Sequence, residues 1–477
     1  MRNRLIGTAA LSLLGGCSFS PPPRPVAIAT PAHFDAIPPS WTEAAPADAA
    51  PRGPWWQAFA DPVLDDLETR AERASPTLAA ALARRDEARA VLGQTAAQAL
   101  PEIDGTASTL RQRESKARPL SAGSAVTFND TKIGAQLSYE VDLWGRVRNS
   151  IAAARSEASA TEADLASVRL SLQAAVADAY ARLRGLDAEQ DLLARSVDAY
   201  TRAYDLTRRR HLGGAASGLD ENRAMTVLGN ARALAVDVAN QRTTTEHELT
   251  ALTGEAASSF HLAPIAHVPD APAVPVGTPS GLLQRRPDIA AAERRVAEAN
   301  ARIGVAHAAL FPTITLGMGA GYETTGPALL AAPNSFWALG PLGLNLPLFD
   351  GGRRKAGLRQ ARAQFDESAA AYRTTVIGAF REVEDALAAA RDLTREAGEQ
   401  EIAVKAAEAT SQLSFTRYRE GAATYLEVVT SQTDALNAAR AARGADAPRA
   451  SGRRDRARAG RADRVIRKAA LRTGTKG

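Results

Sequence analysis

Residues 346–365 read LPLFDGGRRKAGLRQARAQF, and residues 139–158 read YEVDLWGRVRNSIAAARSEA. Each stretch passes from alternating apolar residues into Gly-Arg and then into a run rich in Ala and Arg. Aligning Gly145 with Gly352 also aligns Arg155 with Arg362, at an offset of 207 residues. The sequence therefore predicts two tandem repeats of one structural unit.

Each predicted repeat opens with a helical segment bounded by prolines. Pro76 and Pro101 bound the first segment, and Pro287 and Pro312 bound the second, at an offset of 211 residues. Proline is well tolerated at the first position of a helix and just past its end, where its missing N–H does least harm. The spacing predicts one helix in each repeat between these prolines.

A predicted β-hairpin follows each of these helices, at 103–143 and at 313–349. Residues 131–143, TKIGAQLSYEVDL, alternate apolar and polar side chains. About 10 such residues are enough for a tilted strand to cross a bilayer, but the same alternation is typical of a half-buried soluble sheet. The alternation alone leaves both interpretations open. GMGAG at 317–321 lies within this strand pattern and opens no helix, so we predict no dinucleotide site there.

Two very long helices follow the predicted β-hairpins. Apolar residues recur at every seventh position, which is typical of coiled-coil packing. These residues are Ile151, Ala158, Leu165, Leu172, Ala179, Leu186 and Leu193, and in the second repeat Leu358, Phe365, Tyr372, Ala379, Ala386 and Leu393. About 65 residues of helix reach on the order of 100 Å. Glycine-containing turns at 211–220 and 419–427 then predict long helical hairpins at 145–255 and 352–442.

The N-terminus has the pattern of a secretory signal. Arg2 and Arg4 precede a short apolar run, and LGGC follows at 14–17. LGGC resembles a lipobox, so we predict a lipoprotein signal peptide at 1–16 and a covalent lipid, diacylglycerol plus an N-acyl chain, on Cys17. An ordinary signal peptide with an incidental cysteine is the alternative. Residues 17–54 are rich in Pro, Ala and Ser and are predicted to form an extended, lipidated tether.

Composition and charge argue against an enzyme, a metal protein and a nucleic-acid-binding protein. The 477 residues carry a net charge of +5, of which residues 443–477 carry +9, so residues 1–442 carry −4. The basic character therefore belongs to the tail and not to a binding face. The single cysteine and six histidines show no metal-ligand spacing. We predict no catalytic residue, no metal site and no cofactor apart from the lipid.

The predicted strand pairs and helical hairpins cannot bury their apolar faces by themselves. Four strands in one chain leave bare sheet edges, which lipid does not tolerate, so several chains must close the sheet together. Three motifs are similar to those of a known family. They are WWQAFADP at 55–62, LLQRRPDI at 282–289, and GPL at 340–342 followed by LPLFDGGR at 346–353. The chain resembles the TolC-type outer-membrane efflux proteins, in their lipoprotein branch, over roughly residues 55–442.

The resemblance implies an α+β membrane protein that forms a homotrimer. Three chains would share a 12-stranded β-barrel in the outer membrane, continuous with a 12-helix tunnel through the periplasm. The implied partners are a periplasmic adaptor, a proton-driven inner-membrane efflux pump and outer-membrane lipid. The implied function is a passive exit duct for drugs or other small molecules, with passage in place of chemistry. The alternative is a lipid-anchored periplasmic coiled-coil structural or adaptor protein.

The helical turns are the candidate functional site under this hypothesis. A docking surface for the adaptor is predicted at the turn residues Gly213, Gly214, Leu219, Gly421 and Tyr425. The gate and pore candidates are Glu427, Asp434, Asp220 and Glu221. Three copies of each carboxylate around a narrow axis would form acidic rings that select cations or hold the gate closed. The alternative is that these are solvated carboxylates on an outer face.

The predicted boundaries complete the domain organisation. Repeat 1 covers 55–260, a proline-rich linker covers 261–279, repeat 2 covers 280–442, and an atypical basic tail covers 443–477. Pro448, several glycines and few large apolar groups predict that the tail does not continue the packed helix of repeat 2. Either the last helix ends early and the tail is disordered, or the reading frame is not the native one there.

Overall fold

The computed structural model describes residues 53–117, 125–265, 285–327, 329–330 and 334–451. Within these residues the chain forms long helices and one antiparallel sheet. The strands are β1 Glu102–Glu114, β2 Val126–Glu140, β3 Thr313–Thr324 and β4 Ser335–Asn345. The helices are α1 Pro62–Ala74, α2 Pro76–Ala97, α3 Arg146–Leu212, α4 Gly218–Leu252, α5 Pro287–Ala308, α6 Arg353–Arg419 and α7 Tyr425–Ser451. Short 3-10 helices lie at Trp55–Phe59 and Ala257–Ser259.

The element bounds follow the offsets seen in the sequence. Helices α2 and α5 both begin at a proline and are 22 residues long, with starts 211 residues apart. Helices α3 and α6 are both 67 residues long, with starts 207 residues apart. Helices α4 and α7 also begin 207 residues apart. Among the helices described, none is both long enough and apolar enough to cross a membrane.

The seven-residue pattern of the long helices marks their packed side. Five of the seven positions in α3 are buried and the other two are half-buried. In α6 the pattern holds in the same way, with Phe365, Ala379 and Ala386 buried. Small alanines at these positions let neighbouring helices approach closely.

The sheet is antiparallel throughout, in the strand order β1-β2-β3-β4. Residues that lie opposite each other share a face of the sheet, because side chains alternate along each strand. Ile103, Leu137 and Met318 lie side by side across three strands, which makes one face apolar. The other face is polar; there Lys132 lies opposite Glu323 with Nζ 3.0 Å from the carboxylate. The β3–β4 register shifts between Leu316 and Met318, close to the cis peptide Gly340–Pro341.

Two strands end earlier than the predicted hairpin bounds of 143 and 349. Strand β2 ends at Glu140 because Asp142 turns to cap α3, accepting hydrogen bonds from the backbone N–H groups of Val147 (3.2 Å) and Arg148 (2.9 Å). Strand β4 ends at Asn345, and Asp350 caps α6 in the same manner. Apolar alternation continues past each strand end, which is why the sequence alone placed the ends too late.

Helix α7 corrects the predicted end of repeat 2 at residue 442. The helix runs to Ser451, nine residues further. The extension continues through Gly444 and Pro448, although both residues disfavour the interior of a helix. Residues 452–477 lie outside the described residues, as do residues 1–52 with Cys17 and residues 266–284, which include most of the predicted linker at 261–279.

The described chain divides into two compact units. One holds 84–162 and 291–373, with all four strands and a small core around Val296, Ala299 and Phe365. The other holds the remaining described residues and a larger core in which Trp55 and Trp56 pack against α1 and α3. The indole N–H of Trp55 donates to Gln173 Oε1 at 3.2 Å. The tryptophans of the first sequence motif are therefore core residues.

A buried ionic network in the second unit fixes the chain that follows α4. Asp187 accepts from Arg184 at 2.8 Å and from Arg242 at 2.6 Å, and all three side chains are largely buried. The two arginines also donate to the carbonyls of Ala263 (2.9 Å) and Leu262 (2.6 Å). Each buried charge is thereby paired and hydrogen-bonded, which is the condition for tolerating charge inside a protein.

Candidate functional site

The two long helices end in the same kind of turn. In the first turn Gly214 has φ +75°, the Ala215 N–H donates to the Arg210 carbonyl at 2.8 Å, and the Gly214 N–H donates to the His211 carbonyl at 2.9 Å. In the second turn Gly421 has φ +81° with the equivalent bonds at 2.8 and 3.0 Å. This is the Schellman motif, which needs a left-handed residue and therefore favours glycine.

Two of the predicted gate carboxylates take part in the hydrogen bonding at the starts of the helices that leave these turns. Ser217 and Asp220 bond reciprocally at the start of α4: the Asp220 N–H donates to Ser217 Oγ (3.2 Å), and Ser217 Oγ donates to Asp220 Oδ2 (2.8 Å). Glu427 Oε1 accepts from the Thr424 N–H at 3.3 Å at the start of α7. Each turn holds one half of a capping box: the Ser217 side chain accepts from the Asp220 N–H, and the Glu427 side chain accepts from the Thr424 N–H. The S-x-x-D and T-x-x-E spacings could have revealed both.

The other predicted site residues lie in different environments. Glu221 lies 3.9 Å from Arg208 and 3.8 Å from the His211 ring, so it faces two side chains of the preceding helix. Asp434 is exposed on α7. Gly213 is exposed in the turn, and the Leu219 side chain is 59% exposed, as a docking surface requires.

Tyr425 corrects the predicted docking surface. Its side chain is 4% exposed, and its ring meets the ring of Tyr418 edge to face with centroids 5.6 Å apart. Its ring packs in a buried cluster with Ala203, Ala224 and Val428, so it supports the turn from inside the helical hairpins. Burial raises the pKa of Tyr425, so its hydroxyl stays neutral at physiological pH.

A contact between the two helical hairpins, which we call the tip clasp, was not predicted from the sequence. It consists of Arg210 and Thr207 from α3 with Tyr418 from α6. The Arg210 guanidinium lies 4.6 Å from the centre of the Tyr418 ring and donates to the Tyr418 carbonyl at 2.7 Å. The Tyr418 hydroxyl donates to Thr207 Oγ1 at 3.2 Å. Arg210 is thereby a second donor to a carbonyl that also accepts from the Gly421 N–H at 3.0 Å, and it stacks on an aromatic ring.

A second tyrosine extends this link between the hairpins. The Tyr200 hydroxyl donates to the Gln432 carbonyl at 3.2 Å, and its side chain is buried. Burial raises the pKa of Tyr200 to about 12. The Tyr200 hydroxyl therefore stays protonated across the physiological pH range and keeps this hydrogen bond.

Metal binding finds no support in the described part of the chain. There, no three His, Cys, Asp or Glu side chains are grouped so that they could hold a metal ion. The arrangement offers instead exposed turn residues, carboxylates at the helix starts and a buried clasp between two helical hairpins.

Comparison with known proteins gives consistent matches over most of the chain. The family model described as outer membrane efflux protein matches residues 68–255 and 278–457. The pyoverdine export outer membrane protein OpmQ of Pseudomonas aeruginosa is 32% identical over 441 residues, which is 91% of this chain and 90% of that protein. The toluene efflux pump outer membrane protein TtgC of Pseudomonas putida is 33% identical over 435 residues, covering 90% and 89%.

The solved structures agree with these relatives. The outer membrane protein VceC of Vibrio cholerae superposes with a TM-score of 0.79 at 28% identity, covering 85% of this chain and 98% of that chain. The outer-membrane channel OprN superposes with a TM-score of 0.83 at 27% identity, covering 93% and 99%.

Proposed function

Because the chain belongs to the outer membrane efflux protein family, we propose that it is the exit channel of a tripartite efflux system. The chain is an outer-membrane protein of the efflux class. In the proposal it is a passive duct across the periplasm and the outer membrane, and an inner-membrane pump and a periplasmic adaptor deliver its substrates. The observation that carries the proposal is the family match, which spans both halves of the chain.

The proposed substrates are small molecules as a class. The two relatives above are named for pyoverdine export and for toluene efflux, and these compounds share little chemistry. A duct that leaves selection to its pump can serve both kinds of cargo. The proposal therefore assigns substrate choice to the pump, which we take to be proton-driven, and assigns only passage and gating to this chain.

The proposed assembly is a homotrimer in which each chain contributes two tandem repeats. Three four-stranded sheets would close a 12-stranded β-barrel, and three pairs of helical hairpins would form a 12-helix tunnel. The matching offsets of the helices and the open four-stranded sheet support this arrangement. A lipid on Cys17 would anchor the N-terminus in the outer membrane alongside the barrel.

The proposed gate lies at the helical turns. The tip clasp holds the two hairpins of one chain together, and its release would let them move apart. Glu427 and Asp434 are exposed in the single chain, which fits either acidic rings around the trimer axis or solvated outer-face carboxylates. The exposed turn residues Gly213, Leu219 and Gly421 are the proposed adaptor contacts.

The function is tested by deleting the gene in its host and following the retention of a fluorescent hydrophobic dye. We expect the deletion strain to retain more dye and the restored gene to reverse this. A proton uncoupler should erase the difference, because the pump would then lack its driving force. The comparison is made in a host that also lacks its second exit channel. Equal dye retention with and without this gene in that host would contradict the proposal.

The alternative of a lipid-anchored coiled-coil structural or adaptor protein is not favoured. Both halves of the chain carry a strand pair followed by a long helical hairpin. An adaptor with one helical hairpin between compact β domains would not produce this order of elements.

A further inference from the structure

The residues that lead into α3 and those that lead into α6 stand at equivalent places in the two repeats but differ in charge. Residues 139–158 carry three basic and three acidic side chains, a net charge of 0. Residues 346–365, which stand 207 positions later, carry five basic side chains and one acidic one, a net charge of +4. The excess of positive charge is therefore specific to the segment of repeat 2.

Two carboxylates of repeat 1 pair with arginines at the start of α3. Glu140 Oε2 lies 2.6 Å from Arg146 Nη2, and Asp142 Oδ2 lies 3.3 Å from Arg148 Nε. Both carboxylates come from the chain just before the helix, within six residues of the arginines that they neutralise. These ion pairs offset most of the positive charge at the start of α3.

Apolar residues take the place of both carboxylates in repeat 2. Pro347 and Phe349 stand 207 positions after Glu140 and Asp142. Phe349 is 92% exposed, and Leu348 beside it is 87% exposed. The chain before α6 therefore presents apolar side chains where the chain before α3 presents anions.

Four basic side chains at the start of α6 have no carboxylate partner among the described residues. Asp350, the one acidic residue of the segment, lies 3.2 Å from Arg354. The next carboxylates along the helix, Asp366 and Glu367, form no ion pair with the four. The four cations, all of them exposed, are Arg353, Lys355, Arg359 and Arg362.

Three of these cations form a stripe along α6, which we call the basic stripe. Lys355, Arg359 and Arg362 are spaced i, i+4 and i+7, which places them on one face of the helix over about 10 Å. The buried side chains Ala361 and Phe365 lie on a different side, so packing within the chain leaves the stripe open. A ligand that joins an anion to an apolar chain would match the stripe and the apolar residues before it.

An anionic phospholipid has this combination of chemistry. In the proposed function the strands cross the outer membrane, so the residues that follow β4 lie where the hydrocarbon meets the lipid phosphates. Lys and Arg side chains reach such phosphates while their stems cover apolar surface. We propose that the basic stripe binds the phosphate of an anionic phospholipid in the periplasmic leaflet, with the acyl chains against Leu348 and Phe349. The inference rests on the proposed function.

An acidic protein segment is the competing partner for the basic stripe. It would match the positive charge, but it would leave the exposed Leu348 and Phe349 without a role. A phospholipid uses the cations and the apolar side chains together. The joint change between the repeats, from anions to apolar residues beside a stripe of cations, therefore favours the lipid.

Native mass spectrometry of the assembled, detergent-extracted protein tests the proposal. The protein is mixed with equal amounts of phosphatidylglycerol, which is anionic, and phosphatidylcholine, which is zwitterionic, and the bound lipids are counted. We expect the wild type to retain phosphatidylglycerol in preference. K355Q/R362Q should lower this preference by about fivefold for each charge removed. F349D gives repeat 2 the carboxylate that repeat 1 has at this position and should also lower it.

The matched control is R148Q/R155Q, which removes the same charge from the equivalent positions of repeat 1. It should leave the preference unchanged. Equal losses in the two double variants, or a wild type that retains both lipids alike, would overturn the proposal. An unchanged lipid preference in K355Q/R362Q, with weaker binding of the purified adaptor, would assign the stripe to an acidic protein instead.

Insertion of the wild type into planar bilayers separates this inference from the proposed function. A wild type that inserts and conducts but shows no preference for phosphatidylglycerol would overturn the inference and leave the proposed function intact. A wild type that neither inserts nor retains lipid would overturn both.

Discussion

Glu68, in the middle of α1, is a carboxyl group held inside the protein. Its side chain is 0% exposed, and neither of its oxygens has a hydrogen-bond partner among the described residues. Burial raises its pKa to about 9, and the nearby Glu72 and Asp65 add to this. The group is therefore neutral at pH 7, because an ionised carboxylate at this place would be neither solvated nor paired.

The raised pKa predicts a pH-dependent stability. Between pH 4.5 and about 9 the folded chain keeps a proton on Glu68 that the unfolded chain releases. Stability from this group is complete below the unfolded pKa and falls as pH rises toward the folded one, by at most about 1.4 kcal/mol per pH unit. We expect E68Q to remove this slope. The melting temperature of E68Q minus that of the wild type should therefore increase from pH 6 to pH 9.

A matched control is E87Q, at an exposed glutamate of α2. It should leave the difference between pH 6 and pH 9 unchanged. Equal pH slopes for E68Q and the wild type would show that Glu68 is ionised in the folded protein.

The tip clasp gives a second prediction at the residue scale. R210A removes the hydrogen bond to the Tyr418 carbonyl and the stacking on its ring, which together are worth about 1–3 kcal/mol. We expect faster amide hydrogen exchange in residues 205–222 and 415–430. R209A, at the exposed neighbour whose guanidinium bonds only within its own helix, should leave this exchange unchanged. If both variants behave alike, the clasp does not hold the hairpins together.

At the scale of elements, the turn glycines differ in a testable way. Gly214 needs a left-handed backbone, whereas Gly213 beside it does not. A β-carbon at Gly214 would meet nothing within 4 Å, so the cost of G214A is conformational and amounts to about 1–2 kcal/mol. G213A should cost little, since alanine is a good helix former. Chemical denaturation monitored at the turn compares the two, and equal losses would contradict the assignment.

Local sequence signals predicted most of the elements. Prolines marked the starts of α2 and α5, the seven-residue pattern marked the packed sides of α3 and α6, and glycines marked both turns. These features succeed because each depends on backbone geometry within a few residues. The strand ends failed because Asp142 and Asp350 act as caps that alternation does not reveal.

Less of the candidate site than of the fold could be predicted from the sequence. The helix caps at Ser217 and Glu427 could be predicted from residue spacing, but acidic rings were the more prominent hypothesis. The clasp between Arg210 and Tyr418 joins residues 208 positions apart in the chain, and no local pattern reports such a contact. Burial of Tyr425 likewise depends on how two hairpins pack.

At the scale of the whole molecule, the predicted lipid on Cys17 is open to a direct check. Intact-mass analysis of protein from washed outer membranes should show a chain that begins at residue 17 and carries acyl groups. C17S should lose the acyl mass yet remain in the outer membrane, because the proposed barrel holds it there. A wild-type chain without acyl groups would favour the ordinary signal peptide instead.

The central claim is that this chain forms a conducting, gated duct, and single-channel recording in planar lipid bilayers tests it most directly. We predict discrete conductance steps from the purified trimer, with longer open times in R210A than in R209A because the clasp is released. The absence of steps in the wild type and in R210A, from protein shown to be trimeric and inserted, would contradict the account.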